Sequence, residues 1–549
     1  MRIHVTANHQ YLDEIQTIAQ VFFPHARFGA KVRNQKSEVR KGIEINNDNV
    51  LTAEHGWSIA SFIEDGKAHA EVYFQGNLAE RYCLLLANQP EYLTEKRLAM
   101  LVLYHALQNA IGANTPWGAL TGVRPTKMVR EWMAEGLTDN QVIQALQGIF
   151  CVQEDRAKLA VDVAHGENRL ANRIWAGYPT RGNPSSILHK PVGIYISIPF
   201  CPSRCVYCSF NTAHKPWSID MQTRYVQALA SEIQELPQKL SEIGGRVSSI
   251  YIGGGTPTAL ADNLLELLLY TLTNVLAVTD CKSNHGADFK NSPIEFTIEA
   301  GRPDTITRNN LWIMHNYGVN RISINPQTFN DSTLEIIGRK HTTRDFIRAY
   351  TMAREEGFAC INTDIIAGLP GEGAEDMLDA MENLAALKPE NITIHTLAIK
   401  RASKLNEQRV DAQSFTTSPL GGAKRRNNPE TSAIEAQLKI AHEGCTAQGL
   451  SPYYLYRQKN MAALFENTGY SLPGYECLYN IGMMSEVQTV LGLGAGAVSK
   501  YVESGIHKQD DFPSAHMQGT GEISHTRHLI TRTFNPKNPD IYMERRNTQ

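Results

Sequence analysis

The sequence predicts an α/β protein: a partial (β/α)6 barrel, preceded by an α+β domain and followed by a mainly helical one. Three observations carry this. From residue 193 onward, short β-branched apolar runs alternate six times with helical apolar spacing, as in a parallel sheet or barrel. Polar or glycine-rich groups follow those runs, where a barrel places its active site. And 549 residues are too many for one compact core, so two or three domains are expected.

Composition narrows the class of function. Hydrophobic residues make up 42% and charged residues 20%, an ordinary globular balance. The net charge of −3 argues against bulk nucleic-acid binding. No stretch has the apolar length of a membrane span and the N-terminus lacks a signal-peptide profile, so a cytoplasmic protein is expected. Of nine cysteines, Cys83, Cys151, Cys281, Cys360, Cys445 and Cys477 are scattered, which is no disulfide framework, and most of them read as small buried hydrophobes, with Cys477 the one to watch.

Residues 1–185 form the first region. MRIHVTA is strand-like, LDEIQTIAQVFF has helical spacing, and alternating segments between residues 38 and 86 indicate a small sheet. After Gln89-Pro90 four helical stretches follow, ending with QEDRAKLAVDVAHGENRLANRIW. Gly122 to Thr126 reads as a tight loop entering a helix, either a plain cap or an anion site at the helix N-terminus. Residues 177–186 are the linker.

The barrel spans 186–400. Its strands are expected near 193–199, 248–253, 294–300, 319–325, 360–367 and 391–398, with helices over 218–239, 260–276, 304–316, 330–357 (broken) and 373–388. Residues 282–293 are expected as a surface loop and 401–430 as a polar flexible insert. The last region, 431–549, opens with a helix and ends in a loose tail after about residue 535.

The first barrel run is followed by Cys201, Cys205 and Cys208 in GIYISIPFCPSRCVYCSFN, residues 193–211. A helix would put the three thiols on one face, but Pro202 and the preceding strand speak against it. A structural zinc site completed by His214 is a second reading. An iron–sulfur cluster usually takes four thiolates, so three leave one iron open to another ligand. The second run ends in Gly253-Gly254-Gly255-Thr256-Pro257-Thr258, which alone reads as a turn or as a loop whose backbone approaches a ligand. Glu299 ends the third run, where a salt bridge or a helix cap is the alternative to a ligand contact. Arg321, Asn325, Gln327, Arg339, Lys340 and Asp364 follow, each singly as open to a structural role as to a functional one.

The triplet and the glycine loop one β/α unit later resemble the radical S-adenosylmethionine (SAM) superfamily. With RISINPQTF and DIIAGLPGE they resemble the oxygen-independent coproporphyrinogen III dehydrogenase family. LTGVRPTKMVREW, PYYLYRQKNM and GYECLYNIGMM resemble its HemZ-type branch. The resemblance implies a 4Fe–4S cluster on Cys201, Cys205 and Cys208, its unique iron bound by SAM. It places Tyr195, Gly254, Glu299 and, as a weaker match, Val498 at a first SAM. A second SAM position is matched by Tyr207, Gly255, Thr256, Gln327, Arg339, Asp364 and Ala398.

The activity so implied is oxidative decarboxylation of coproporphyrinogen III to protoporphyrinogen IX, with an electron donor such as flavodoxin or ferredoxin. A 5′-deoxyadenosyl radical would take hydrogen from a propionate, so no general acid or base is expected. Arg457 and Lys459, beside Tyr453, Tyr454 and Tyr456, are candidates for the substrate's carboxylates, with core packing an equal reading of the tyrosines. Two departures stand out. The family's main branch has a further cysteine where this chain has Phe210 after Ser209. The related haem-chaperone branch carries a His-Asn-x-x-Tyr-Trp block where this chain has Cys477-Leu478-Tyr479-Asn480. A haem-binding, chaperone-like protein that keeps the cluster without decarboxylating is therefore the alternative function.

Overall fold

The structure, a computed structural model, describes residues 2–23, 26–32, 56–87, 89–90, 92–122, 124–175, 190–208, 217–277, 294–398, 429–457, 465–503 and 529–547. Among them the chain forms two sheets.

The N-terminal region contains β1 (Arg2–Ala7), α1 (Leu12–Phe22), β2 (Arg27–Val32), β3 (Trp57–Glu64), β4 (Lys67–Phe74), β5 (Asn77–Leu85), α2 (Glu95–Ile111), α3 (Thr126–Ala134), α4 (Asp139–Phe150) and α5 (Glu154–Trp175). The sheet order is β2-β1-β3-β4-β5. Asp65 and Gly66, at φ of 50° and 71°, make the β3–β4 turn, a pairing whose twist suits a hairpin. Ile3, Val5, Ile59 and Val72 bury their side chains with Leu103, Tyr104 and Trp132 from the helices, so this region has its own core.

The larger sheet is built on six parallel neighbours in chain order: β6 (Lys190–Ile198), β7 (Gly245–Gly254), β8 (Glu295–Glu299), β9 (Arg321–Ser323), β10 (Cys360–Ala367) and β11 (Asn391–Thr396). Between them run α6 (Ile219–Gln234), α7 (Leu236–Glu242), α8 (Asp262–Val275), α9 (Arg308–Asn316), α10 (Asp331–Ile336), α11 (Thr343–Glu356) and α12 (Ala374–Leu387). Side chains alternate between the two faces of a strand. Ile194, Ile196, Ile250, Ile252, Ile298, Ile322 and Ile392 are fully buried and share one core with the apolar faces of these helices. Tyr195, Tyr251, Glu299 and Asp364 take the alternate positions, and parallel register sets Tyr195 opposite Tyr251 and Asp364 opposite Thr393. The expected alternation of six strands with helices is thus present.

The expectation of a mainly helical C-terminal region is corrected. Besides α13 (Pro429–Ala447), α14 (Leu478–Ser485) and α15 (Pro539–Asn547) it holds β12 (Ser451–Tyr456), β13 (Asn467–Ser471), β14 (Thr489–Leu493), β15 (Val498–Glu503) and β16 (Leu529–Phe534). All five join the larger sheet, in the order β12-β13-β11-β10-β9-β8-β7-β6-β14-β15-β16. The loose tail is also corrected: α15 packs against α6, and Tyr542 is 2% exposed. The linker 177–186, the loop 282–293 and the insert 401–430 fall outside the described residues, except that Pro429 and Glu430 open α13.

Candidate active site at the C-terminal strand ends

Pro199 follows the last residue of β6, and the chain turns into the loop carrying the three thiols. Cys205 is 8% exposed, while Cys201 and Cys208 are half-buried. The loop is fixed by its backbone, since Cys208 N–H donates to Cys205 O at 3.1 Å and Val206 N–H to Ile337 O at 3.0 Å. Burial pushes the Cys201 thiol up to about 11, and a thiol that ligates iron must shed that proton.

The glycine loop is joined to the cysteine loop main chain to main chain. Gly255 N–H donates to Ile198 O at 2.7 Å and Thr256 N–H to Phe200 O at 2.6 Å. A Cβ on Gly255 would stand 2.5 Å from Phe200 O, so no larger residue fits. Thr256 Oγ1 lies 3.4 Å from Cys201 Sγ. Thiols and glycines therefore form one wall.

Behind that wall, Glu299 accepts from Tyr251 OH at 2.6 Å and from Gly254 N–H at 3.1 Å. Burial raises its carboxyl above the usual range. Tyr251 stacks on Tyr479, with ring centres 4.6 Å apart, and Tyr195 lies over Tyr479 at 6.0 Å. Val498 opens β15; its backbone lies against Gly492, the residue paired with Tyr195.

A second group lies across the sheet. Asp364 accepts from Asn325 Nδ2 and Asn362 Nδ2, each at 2.8 Å, and stands 3.6 Å from His395 Nε2. Burial opposes its ionisation, yet His395 and Asn362 outweigh that and hold the carboxyl below its usual range. Gln327 occupies the left-handed region at φ 71°, with its N–H on Asp364 O at 3.0 Å and its carbonyl accepting from Ile366 N–H at 2.9 Å. Arg339 is 9% exposed and donates to Gly301 O at 2.7 Å and Tyr207 OH at 3.2 Å. Its Nε is buried without a hydrogen-bond partner among the described residues. Ala398 sits half-buried just beyond β11.

Some expectations are corrected. Arg321 begins β9 and is buried, its guanidinium bonded to Tyr475 O at 2.6 Å and Cys360 Sγ at 3.2 Å. Lys340 is exposed. Arg457 is buried, donates to Leu120 O and lies over the Trp117 ring, which places it against the N-terminal region. Tyr453 and Tyr454 are core, whereas Lys459 and His214 lie outside the described residues. In the Gly122–Thr126 loop, Thr126 Oγ1 is bonded to Glu167 at 3.1 Å and Arg124 pairs with Glu486 at 2.8 Å.

Sequence reasoning missed Tyr251, His395, Tyr479 and Arg302. The first two stand at inward positions of their strands, so period-two alternation was the available signal. Among the described residues, no three His, Cys, Asp or Glu side chains converge as on a single metal ion. The donor set itself, three soft thiols on one loop, suits iron–sulfur ligation, and the orphaned Arg339 donor suits a carboxylate.

A strand-borne three-thiol loop bonded to a glycine loop, at the C-terminal ends of six parallel strands, defines a radical SAM protein, and residues 195–384 match the radical SAM superfamily model. Membership implies a 4Fe–4S cluster and SAM. The chain is 34% identical over 450 residues to the "oxygen-independent coproporphyrinogen-III oxidase-like protein HemZ" of Bacillus subtilis, covering 82% of this chain and 78% of that one. It belongs to the HemZ-type family of coproporphyrinogen-III oxidase-like proteins. The haem chaperone HemW of Escherichia coli is 26% identical over 64% of this chain and 79% of its own. A solved structure, coproporphyrinogen III oxidase (HemN) from Escherichia coli, aligns with a TM-score of 0.46 at 20% identity over 69% of this chain and 77% of that one. No described helix is long and apolar enough to cross a membrane.

Proposed function

We propose that the chain is an oxygen-independent coproporphyrinogen III dehydrogenase, converting two propionates of coproporphyrinogen III to the vinyl groups of protoporphyrinogen IX. Cys201, Cys205 and Cys208 would hold the cluster. Tyr195, Gly254, Glu299 and Val498 would hold a first SAM, and Tyr207, Gly255, Thr256, Gln327, Arg339, Asp364 and Ala398 a second. When bound, these groups would supply reductive SAM cleavage and hydrogen abstraction, after which, for each propionate, one CO2 leaves and an external acceptor takes one electron.

The chain's own share is to hold and enclose. Glu299 and Asp364 are carboxylates suited to an ammonium or a ribose hydroxyl, and the spare Arg339 donor suits a carboxylate. The helices that cover the outer strand face keep water from that side of the site. Flavodoxin or ferredoxin is the class of donor proposed, in the cytoplasm.

One observation favours this over the chaperone reading. The segment at the position of the chaperone's His-Asn-x-x-Tyr-Trp block is buried: Cys477 is 1% exposed and donates to Glu295 at 3.2 Å, while Leu478 and Tyr479 N–H donate to the same carboxylate at 2.8 and 3.1 Å. Cys477 and the amides of Leu478 and Tyr479 are thus committed to Glu295, while the Tyr479 ring stacks on Tyr251.

The test is anaerobic incubation of iron- and sulfide-reconstituted protein with SAM, dithionite and coproporphyrinogen III. Methionine, 5′-deoxyadenosine and vinyl product are expected. SAM cleavage without decarboxylation would assign another substrate, and tight haem binding with neither would assign the chaperone role.

A further inference from the structure

We propose that Arg302 sets the reduction potential of the cluster by donating a guanidinium hydrogen bond to the sulfur of Cys205. This rests on the reading that Cys201, Cys205 and Cys208 hold a 4Fe–4S cluster, and is independent of the porphyrin substrate.

Arg302 Nη1 lies 3.6 Å from Cys205 Sγ. The guanidinium is 3% exposed, and a buried cation is costly unless its donors are used. Asp304 grips the fork through Nε at 3.1 Å and Nη2 at 3.3 Å. Nη2 also donates to Ser203 Oγ at 2.9 Å, and Nη1 to Ser203 O at 3.3 Å. Asp304 thus anchors one side of the plane while the other side points into the cysteine loop. Cys205 is the most buried of the three thiols, so charge on its sulfur is screened least by water.

The sign follows from charge. Reduction adds one electron, taken from a one-electron reductant, to a site already bearing three thiolates; no bond forms and no proton moves. Arg302 stays cationic throughout. Its field and its N–H···S bond therefore stabilise the reduced form more than the oxidised one, and hydrogen bonds to cluster sulfurs are a recognised lever on potential. A hydrogen bond to a charged group amounts to about a tenfold change in an equilibrium.

The experiment is an EPR-monitored redox titration of the full, anaerobically reconstituted chain without SAM, with iron and sulfide counted per chain. Arg302→Gln keeps a neutral donor, and Arg302→Lys keeps the charge without the fork. At a fixed solution potential the reduced-to-oxidised ratio should fall about tenfold in Arg302→Gln, a midpoint about 59 mV more negative for one electron. Arg302→Lys should fall between that and the parent. Full iron with an unmoved midpoint in Arg302→Gln would overturn the proposal. If Arg302→Gln loses its cluster, Arg302→Lys decides: a midpoint shifted negative supports tuning, whereas an unmoved midpoint or a lost cluster makes Arg302 a loop brace and overturns it. A parent chain without any cluster would overturn both this and the proposed function; a parent with a cluster but no porphyrin turnover would overturn the function alone.

Discussion

Tyr251 donates a 2.6 Å hydrogen bond to Glu299, and the same carboxylate accepts from the Gly254 amide at 3.1 Å, so one buried acid ties a strand tyrosine to the glycine loop. Burial raises the Glu299 carboxyl, and the Tyr251 bond works in the opposite direction. Losing it leaves the acid more readily protonated and less firmly aimed.

Tyr251→Phe should therefore weaken SAM binding about tenfold, the equivalent of one hydrogen bond to a charged group. Its iron content should match the parent, because the Tyr251 hydroxyl is committed to Glu299 and its ring to Tyr479. Anaerobic equilibrium dialysis with labelled SAM measures this, and an unchanged affinity would detach Glu299 from the ligand.

How much of this was legible depends on how local each signal was. Strand ends such as Glu299 and Asp364 were readable because period-two alternation fixes which residues face inward and the glycine and cysteine motifs mark the chemical end. The role of Arg321 was not readable because the carbonyl that holds its guanidinium, Tyr475 O, lies 154 residues further along the chain. The C-terminal strands were not legible: β14 is five residues containing a glycine, and it is a strand because β6, some three hundred residues earlier, offers it an edge. The role of Arg457 likewise depends on Leu120 and Trp117 in another region. Tyr479 meets Tyr251 only once α14 is capped by Glu295.

Cys477 separates the cluster thiols from the rest. Its sulfur is buried against Glu295, so Cys477→Ser, which can keep that hydrogen bond, should leave iron and sulfide per chain unchanged. Cys205→Ser should remove the cluster and all turnover. Metal analysis of both variants decides, and iron loss in Cys477→Ser would make it a ligand.

Glu167 provides a pH dependence. It is buried under α3, with Thr126 Oγ1 at 3.1 Å and Arg130 Nη1 at 3.7 Å, and burial pushes its carboxyl up to about 7 against the pull of Arg130. The folded chain thus holds this proton to higher pH than the unfolded chain, whose carboxyl titrates near 4.5. Stability falls as pH rises between those values, and the full cost, about 3 kcal/mol, is present above pH 7. Glu167→Gln should be close to the parent in urea midpoint at pH 4.5 and clearly more stable at pH 8. The same difference at both pH values would rule out titration of Glu167 as the cause.

The C-terminal helix gives the last prediction. Glu232, 2% exposed on α6, accepts from Tyr542 OH at 2.7 Å, Asn535 Nδ2 at 3.0 Å and Gly494 N–H at 2.8 Å, and pairs with Arg546 at 2.6 Å. Gly494 begins the turn whose Ala495 carbonyl accepts from Ser197 Oγ at 2.8 Å; Tyr225 OH donates to Ser197 O at 2.7 Å and accepts from Ala495 N–H at 2.8 Å. The helix is thus linked through Glu232 to the strand that leads into the cysteine loop. Deleting residues 539–549 leaves Glu232 buried without its cation, a loss of about 3 kcal/mol. The truncated chain should melt several degrees lower and surrender iron to a chelator faster. Adding Glu232→Gln to the truncation should recover part of the melting temperature, because the uncompensated charge is gone, whereas the same change in the full-length chain should lower it by removing one of the two carboxylates, Glu232 and Glu235, that hold Arg546. If Glu232→Gln moves both chains in the same direction, the carboxylate is not what couples α15 to the barrel.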